Sequence, residues 1–232
     1  MANIISIETS ADVCSVSLSS DGFILLHREE WEGHNHAARL SGFIAEALDH
    51  LRAHEMSLDA VAVSMGPGSY TGLRIGLSEA KGLAYVKGVP MIGVDTLQLL
   101  VTSLMFSGAE LPEGCLYAPM IDARRMEVFT GLYDAALTPL TEPGPQILTP
   151  DTLAEPLSQG PVVLFGSGAD KAMEVIKSPN ALFISGIRPL ATDMMPLAEM
   201  AWRDRRFLDL AYSTPSYLKE FYTTARPAGA TK

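Results

Sequence analysis

Three groups of residues in this 232-residue chain are placed to do chemistry: two acids, Glu8 and Asp122, that each end an apolar run; the glycine-rich stretch GPGSYTGLRIG from Gly66 to Gly76; and the turn Gly166-Ser167-Gly168. A glycine-rich turn that opens a helix leaves backbone N–H groups facing outward, where the helix dipole favours an anion. GPGSYTGLRIG follows an apolar run at 59–65 and precedes a helix-like run at 77–86, the position of a phosphate-facing or partner-facing loop. It is not a P-loop, because no Gly-Lys-Ser/Thr follows, and its glycine spacing is not the dinucleotide fingerprint. A plain strand–turn–helix connection and an anion site both fit the pattern. Arg74 is a cation in a first helical turn, which opposes the dipole and calls for an anion or carboxylate beside it. The Gly166-Ser167-Gly168 turn admits the same two readings, a structural turn being the simpler.

Other chemistries lack their residues. No Ser-His-Asp order, nucleophile elbow or His-Glu-x-x-His is present, so a protease has nothing to work with. Cys14 and Cys115 match no metal spacing and read as buried, reduced thiols. A net charge of −10 argues against this chain alone wrapping a nucleic acid, so any role there needs a basic partner. Arg203, Arg205 and Arg206, interrupted by Asp204, read as a solvated face, with nucleic-acid or partner contact as the other reading. Arg124 and Arg125 follow Asp122 closely enough to pair with it. Trp31 and Trp202 have no interleaved basic stripe and read as core or rim packing.

The elements that position these residues alternate. Asn3 to Glu8, Val13 to Ser19 and Phe23 to Glu29 read as strands, the last two joined through Asp21-Gly22, a strong hairpin signal. Leu40, Phe43, Ile44, Ala47, Leu48 and Leu51 recur at helical spacing, predicting a helix from about Asn35 to Ala53. A strand at 59–65, a helix at 71–86, a strand at 90–94 and a helix at 96–107 follow, and Pro112-Glu113-Gly114 closes the series. The second half restarts with strands at 115–121 and 126–133 around an acidic turn. Pro139 to Pro156 reads as a loop or a degenerate strand and helix. A strand at 161–165, a helix at 169–177, a strand at 181–185 and a final helix from about Asp193 to Arg206 then lead to a tail whose end, Arg226 to Lys232, looks frayed. Ile7-Glu8 and Ile121-Asp122 match across the two series, which predicts an internal duplication with halves at 1–110 and 111–232. With 47% hydrophobic and 19% charged residues the chain can bury an ordinary core. The start has no basic leader and no apolar run reaches about 18 residues, so a cytoplasmic protein without a membrane role is expected.

Two α/β halves, each opening with a strand that ends in an acid before a turn, resemble the actin-like, sugar-kinase-like ATPase fold as duplicated βββαβα units. The motifs IETS, GPGSYTGLRIG, MIDARRMEVF, FGSG and PSYL together resemble the TsaB family of bacterial tRNA-modification proteins over nearly the whole chain. That resemblance implies a role in making threonylcarbamoyladenosine beside the anticodon. Family members do not perform the transfer; they resemble a catalytic paralogue, TsaD, with a TsaE ATPase joining the complex, and tRNA is met only through that complex. They pair with TsaD, and with themselves as homodimers, through their first two helices. The implied interface residues are Leu40, Phe43, Ile44, Ala47, Tyr70, Gly72, Arg74, Gly76 and Ala80. Gly72, Gly76, Ala80 and Ala84 form a stripe of small side chains that lets a helix approach closely, either the first helix of the same molecule or one from another chain. On this reading, Gly76→Leu keeps the fold and weakens partner binding.

The same resemblance implies that catalysis is lost. The paralogue's His-x-x-x-His metal pair corresponds to His36 and Leu40, so the second ligand is missing, and His34 lies on the preceding loop. Asp193 falls at a further metal-ligand position and reads as a helix N-cap or a remnant ligand. An active ATPase of this fold carries Asp-x-Gly-Thr after its first strand, whereas this chain has Glu8-Thr9-Ser10, longer and bulkier where magnesium and phosphate would sit. No catalytic or metal-binding residue and no cofactor bound by the isolated chain are expected. Glu8, Thr9, Asp122, Gly166, Ser167 and Gly168 are the candidates to face an ATP or ADP shared with the partner complex. An active ATP- or metal-dependent enzyme of this fold and a self-associating structural protein are the alternatives.

Overall fold

A computed structural model describes residues 2–31 and 36–216. His34, Asn35, the last two residues of PSYL and the segment 226–232 lie outside the described residues.

The first half contains strands β1 (Asn3–Glu8), β2 (Cys14–Ser20) and β3 (Phe23–Glu30), helix α1 (His36–Ala53), β4 (Ala60–Gly66), α2 (Tyr70–Lys87), β5 (Met91–Asp95) and α3 (Thr96–Phe106). Its sheet runs β3-β2-β1-β4-β5, antiparallel across β3-β2-β1 and parallel across β1-β4-β5. Asp21 and Gly22 both take positive φ, 51° and 81°, as the tight turn between β2 and β3 requires. The apolar runs of β1 and β4 place Ile7 between Val16 and Val63 in the centre of the sheet. Leu40, Ile44, Ala47 and Leu51 of α1 join Leu77, Ala80 and Ala84 of α2 in the core that covers one face of that sheet.

The second half repeats the plan with β6 (Leu116–Asp122), β7 (Glu127–Thr130), β8 (Gly144–Ile147), α4 (Ala154–Gln159), β9 (Val162–Phe165), α5 (Ala169–Val175), β10 (Ala181–Ile184) and α6 (Met195–Arg203). Its order, β10-β9-β6-β7-β8, is the order of the first sheet with each strand replaced by its counterpart. The molecule therefore has the duplicated actin-like α/β architecture, and Glu8 and Asp122 end equivalent strands. The copies differ in their helices: α1 and α2 have 18 residues each, α4 has six and α5 seven.

The predicted strand at 126–133 is shorter because Gly131 interrupts the pairing, which Tyr133 resumes through a single bridge to Tyr117. Pro139 to Pro156 does contain an edge strand and a short helix. Edge position explains how β8 accommodates Pro145.

The third helix of each half packs on the sheet of the other. Leu97, Leu100, Val101 and Leu104 of α3 pack with Tyr117, Tyr133, Val163 and Phe165 of the second half. Leu197, Ala198 and Ala201 of α6 pack with Ala2, Ile4, Ala62 and Ile92 of the first. Strands β1–β5 form one sheet and β6–β10 the other, but the chain after β10 returns to the first half. Ala191 N–H donates to Ser15 Oγ at 2.9 Å, Ser17 Oγ donates to the Ala191 carbonyl at 2.7 Å, and Ser216 N–H donates to the Met65 carbonyl at 2.7 Å. Among the described residues no helix is long and apolar enough to cross a membrane.

Candidate functional site

The glycine-rich stretch is held by the turn that follows β1. Ser69 N-caps α2, its Oγ accepting from Gly72 N–H at 3.2 Å, while its own N–H donates to the Ser10 carbonyl at 2.7 Å. Thr9 Oγ1 donates to the Gly72 carbonyl at 2.8 Å. A Cβ on Gly68 would collide with Ser10, one on Gly72 with the Thr9 carbonyl, and one on Gly76 with Thr9 Oγ1. These glycines are small because the Thr9-Ser10 backbone crosses α2 at van der Waals distance. The small-residue stripe is thus already occupied. Gly72 and Gly76 face the Thr9 turn, and Ala80 and Ala84 are buried in the core they share with α1, so the stripe is filled from within the molecule, by that turn and by the α1 core.

Several of the residues expected at the interface are buried within this chain. Leu40, Ile44 and Ala47 are the inner face of α1, Leu40 being 0% exposed, and Phe43 is half-buried against the same core. Tyr70 and Arg74 are on the outer side of α2, where the Arg74 guanidinium lies 4.8 Å from the Tyr70 ring centroid. Arg74 thus meets the negative face of a ring, where sequence reasoning expected an anion. Further along the outer side, Tyr85 and Val86 are 78% and 77% exposed. Sequence reasoning missed both; the available signal was an apolar pair outside the stripe that α2 buries. Ser41 of α1 donates to Glu79 Oε1 of α2 at 2.9 Å, tying the two helices into one outer surface.

Glu8 is fully buried at the end of β1, and Ser10 N–H donates to its Oε1 at 2.5 Å. Burial pushes its carboxyl up to about 7 against the opposing pull of hydrogen bonding around Ser10 and Ser64. Glu8 Oε2 and the Ser6, Ser10 and Ser64 hydroxyls form no well-directed hydrogen bond, so this is a buried polar cluster with spare capacity. Cys14 and Cys115 are free and buried, and burial, reinforced by Glu8 and Glu30, pushes the Cys14 thiol up to about 11.

The second acid is clamped. Lys171 Nζ donates to Asp122 Oδ1 at 2.5 Å and to the carbonyls of Arg125 and Glu127 at 2.6 and 3.0 Å. Arg124 contributes its backbone N–H to Asp122 Oδ1 at 2.6 Å. The expected pairing of Arg124 or Arg125 with Asp122 is therefore corrected: the ion pair is made by Lys171 of α5. In the following turn Gly166 has φ +94° and lies against the Met120 backbone; a Cβ on Gly168 would stand 2.6 Å from Val128 Cγ1. Ser167 Oγ accepts from Asp122 N–H at 3.1 Å. Both glycines serve the fit of this turn against β6 and β7.

His36 opens α1, and the position four residues on is Leu40, which points into the core. His34 lies outside the described residues. Asp193 does not cap α6: the cap position is Met194, without a side-chain hydrogen bond. Thr192 Oγ1 instead donates to Asp193 Oδ1 at 3.2 Å, and burial beside Ser103 of α3 holds the carboxyl above its ordinary range. Among the described residues, no three His, Cys, Asp or Glu side chains gather closely enough to hold a metal ion. Asp204 bridges Arg203 at 3.3 Å and Arg206 at 3.6 Å, so the residue that interrupts the basic patch also offsets part of its charge. Trp31 is 57% exposed and Trp202 packs on Phe207.

Residues 30–218 match the family model described as TsaD, tRNA N6-adenosine threonylcarbamoyltransferase. The chain is 30% identical to the tRNA threonylcarbamoyladenosine biosynthesis protein TsaB of Escherichia coli (strain K12), covering 93% of this chain and 94% of that one. It is 28% identical to the protein of the same name from Bacillus subtilis (strain 168), covering 93% of each. Among solved structures, a Pseudomonas aeruginosa protein with similarity to peptidase YeaZ superposes with a TM-score of 0.79 at 27% identity, covering 94% of this chain and 100% of the other.

Proposed function

We propose that this chain, which belongs to the TsaB family of tRNA threonylcarbamoyladenosine biosynthesis proteins, supports formation of threonylcarbamoyladenosine beside the tRNA anticodon as a subunit that performs no transfer itself and pairs with a TsaD-type paralogue. The observation that carries this reading is the closed turn after β1. Where an ATPase of this fold would close a glycine turn on phosphate, Thr9 and Ser10 are bonded to the start of α2 and Glu8 is buried. Asp122, for its part, has its charge partly compensated by the ion pair with Lys171.

Function then belongs to the surface. The outer face of α1 and α2, with Tyr70, Arg74, Tyr85 and Val86, is the pairing face for the paralogue and, in its absence, for a second copy of this chain. ATP or ADP enters as a ligand shared with the partner complex, a TsaE-type ATPase joins as a third component, and the −10 charge leaves tRNA contact to the partners. The test is product formation on unmodified tRNA supplied with threonylcarbamoyl-adenylate, ATP and the cognate TsaD and TsaE, with this chain present, omitted or alone. Product only when the chain accompanies TsaD supports the proposal. Equal product without it, or product from the chain alone, overturns it.

A further inference from the structure

Between β7 and β8 the chain makes a hairpin that reaches beyond its own sheet. Tyr133 pairs with Pro139 through an isolated bridge, Leu140 N–H donates to the Leu132 carbonyl at 2.7 Å, and Asp134 N–H donates to the Thr138 carbonyl at 3.2 Å. These bonds close a three-residue loop, Ala135 to Leu137. Within it Leu137 N–H donates to the Asp134 carbonyl at 3.1 Å, and Asp134 Oδ1 accepts from Ala136 and Thr138 N–H at 2.9 and 2.8 Å. The last residue of such a loop takes the left-handed conformation, a place for glycine. Here it is a leucine at φ 62°, so its backbone is held under strain.

Packing accounts for the leucine. Ala135, Ala136 and Thr138 are exposed, whereas Leu137 is half-buried. It lies against both apolar clusters that join the sheets, the one between α3 and the β6–β10 sheet and the one between α6 and the β1–β5 sheet. Among the described residues no other side chain belongs to both. Gln98 Nε2 of α3 donates to the Leu137 carbonyl at 3.4 Å, which fastens the loop to the same helix. Tyr133, on the arm of the hairpin, packs against α3 with its hydroxyl buried and without a hydrogen-bond partner. That hydroxyl would regain water if the seam opened.

We propose that this hairpin is a clasp: Leu137, seated against α3 and α6 together, holds the two sheets in one closed arrangement, and its withdrawal opens the seam between them without unfolding either sheet. The strain at Leu137 and the unpaired Tyr133 hydroxyl both oppose the closed state, so the clasp lets go more readily than its apolar packing alone would allow. The inference does not rest on the role proposed above.

The chain carries two thiols that report on it. Cys115 lies in the cluster between α3 and the second sheet, and Cys14 in the core that the first sheet shares with α1 and α2. The test is alkylation of the folded full chain with iodoacetamide, each cysteine being followed by mass spectrometry of its peptide and compared only with itself across variants. Leu137→Gly is expected to lower the unfolding temperature and to speed Cys115 at least about tenfold more than Cys14, because the seam opens while the first core stays shut. Leu137→Asn, which also tolerates a left-handed φ, should act in the same direction and carries the measurement if the glycine variant does not fold. Leu140→Ala, at an exposed position of the same hairpin, should leave the ratio of the two rates unchanged. A residue serving the turn alone would give the opposite sign, since glycine relieves the strain of a left-handed leucine and raises the unfolding temperature. A raised unfolding temperature, equal acceleration of both cysteines, an unchanged ratio, or the same effect from Leu140→Ala would each overturn the assignment.

Discussion

Gly76 and Thr9 meet so closely that the two positions are energetically one site. A methyl group at 76 collides with Thr9 Oγ1, whereas a methyl at 72 collides with the Thr9 main-chain carbonyl. Gly76→Ala is therefore expected to cost about 1–3 kcal/mol of stability, and Thr9→Ala in the same chain should recover much of that loss. Gly72→Ala should lose a similar amount without recovery, because no side-chain change removes a carbonyl. Urea unfolding of the four variants measures both. Gly76→Leu, which reads from sequence as a surface change, becomes a core change for the same reason. Glu8 gives a second prediction at this scale. Its carboxyl titrates near 4.5 in the unfolded chain and about 7 in the fold, so between those values the folded chain holds a proton that the unfolded chain has released. The stability it contributes is fully present below about pH 4.5 and is lost as the pH rises through about 7, a fall of about 3 kcal/mol. Glu8→Gln should flatten that part of the profile and exceed the parent in stability at pH 8.

At the scale of elements, what the sequence reveals depends on length and on where the contacts lie. The strands of the first half are legible because each is a run of apolar or alternating residues, with Asp21-Gly22 marking the hairpin. The 18-residue helices carry enough turns for their buried faces to show. In the second half β8 and α4 have four and six residues, each with a proline, too few to display a period. The site was half legible. The small-residue stripe on α2 is plain in the sequence, but its glycine end meets a turn 63 residues away, which no local pattern announces. Lys171 reaches Asp122 across 49 residues and is equally hidden. The pairing face proposed above is the exposed outer side of α2. Tyr85→Glu combined with Val86→Asp should leave unfolding within about 0.5 kcal/mol of the parent while weakening association with a TsaD-type partner at least about tenfold, read by calorimetry. Unchanged association in a folded variant would place the pairing face elsewhere.

At the scale of the whole molecule, duplication and divergence divide the labour. Both halves keep the five-strand plan, and each lends its third helix to the sheet of the other, so the halves are joined by apolar packing as well as by the returning segment at Ala191. Such a body presents its surfaces rigidly. The turns proposed above to have lost an ATPase role are bonded to the chain's own groups, Thr9 and Ser10 to α2 in one half and Asp122 to Lys171 in the other. The measurement that tests this most directly is calorimetric titration of the isolated chain with magnesium and ATP. No saturable binding is expected up to about 1 mM, with binding emerging only when the TsaD-type partner is present. Stoichiometric binding by the chain alone, in the micromolar range of about −8 kcal/mol, would show that the turn opens and contradict it.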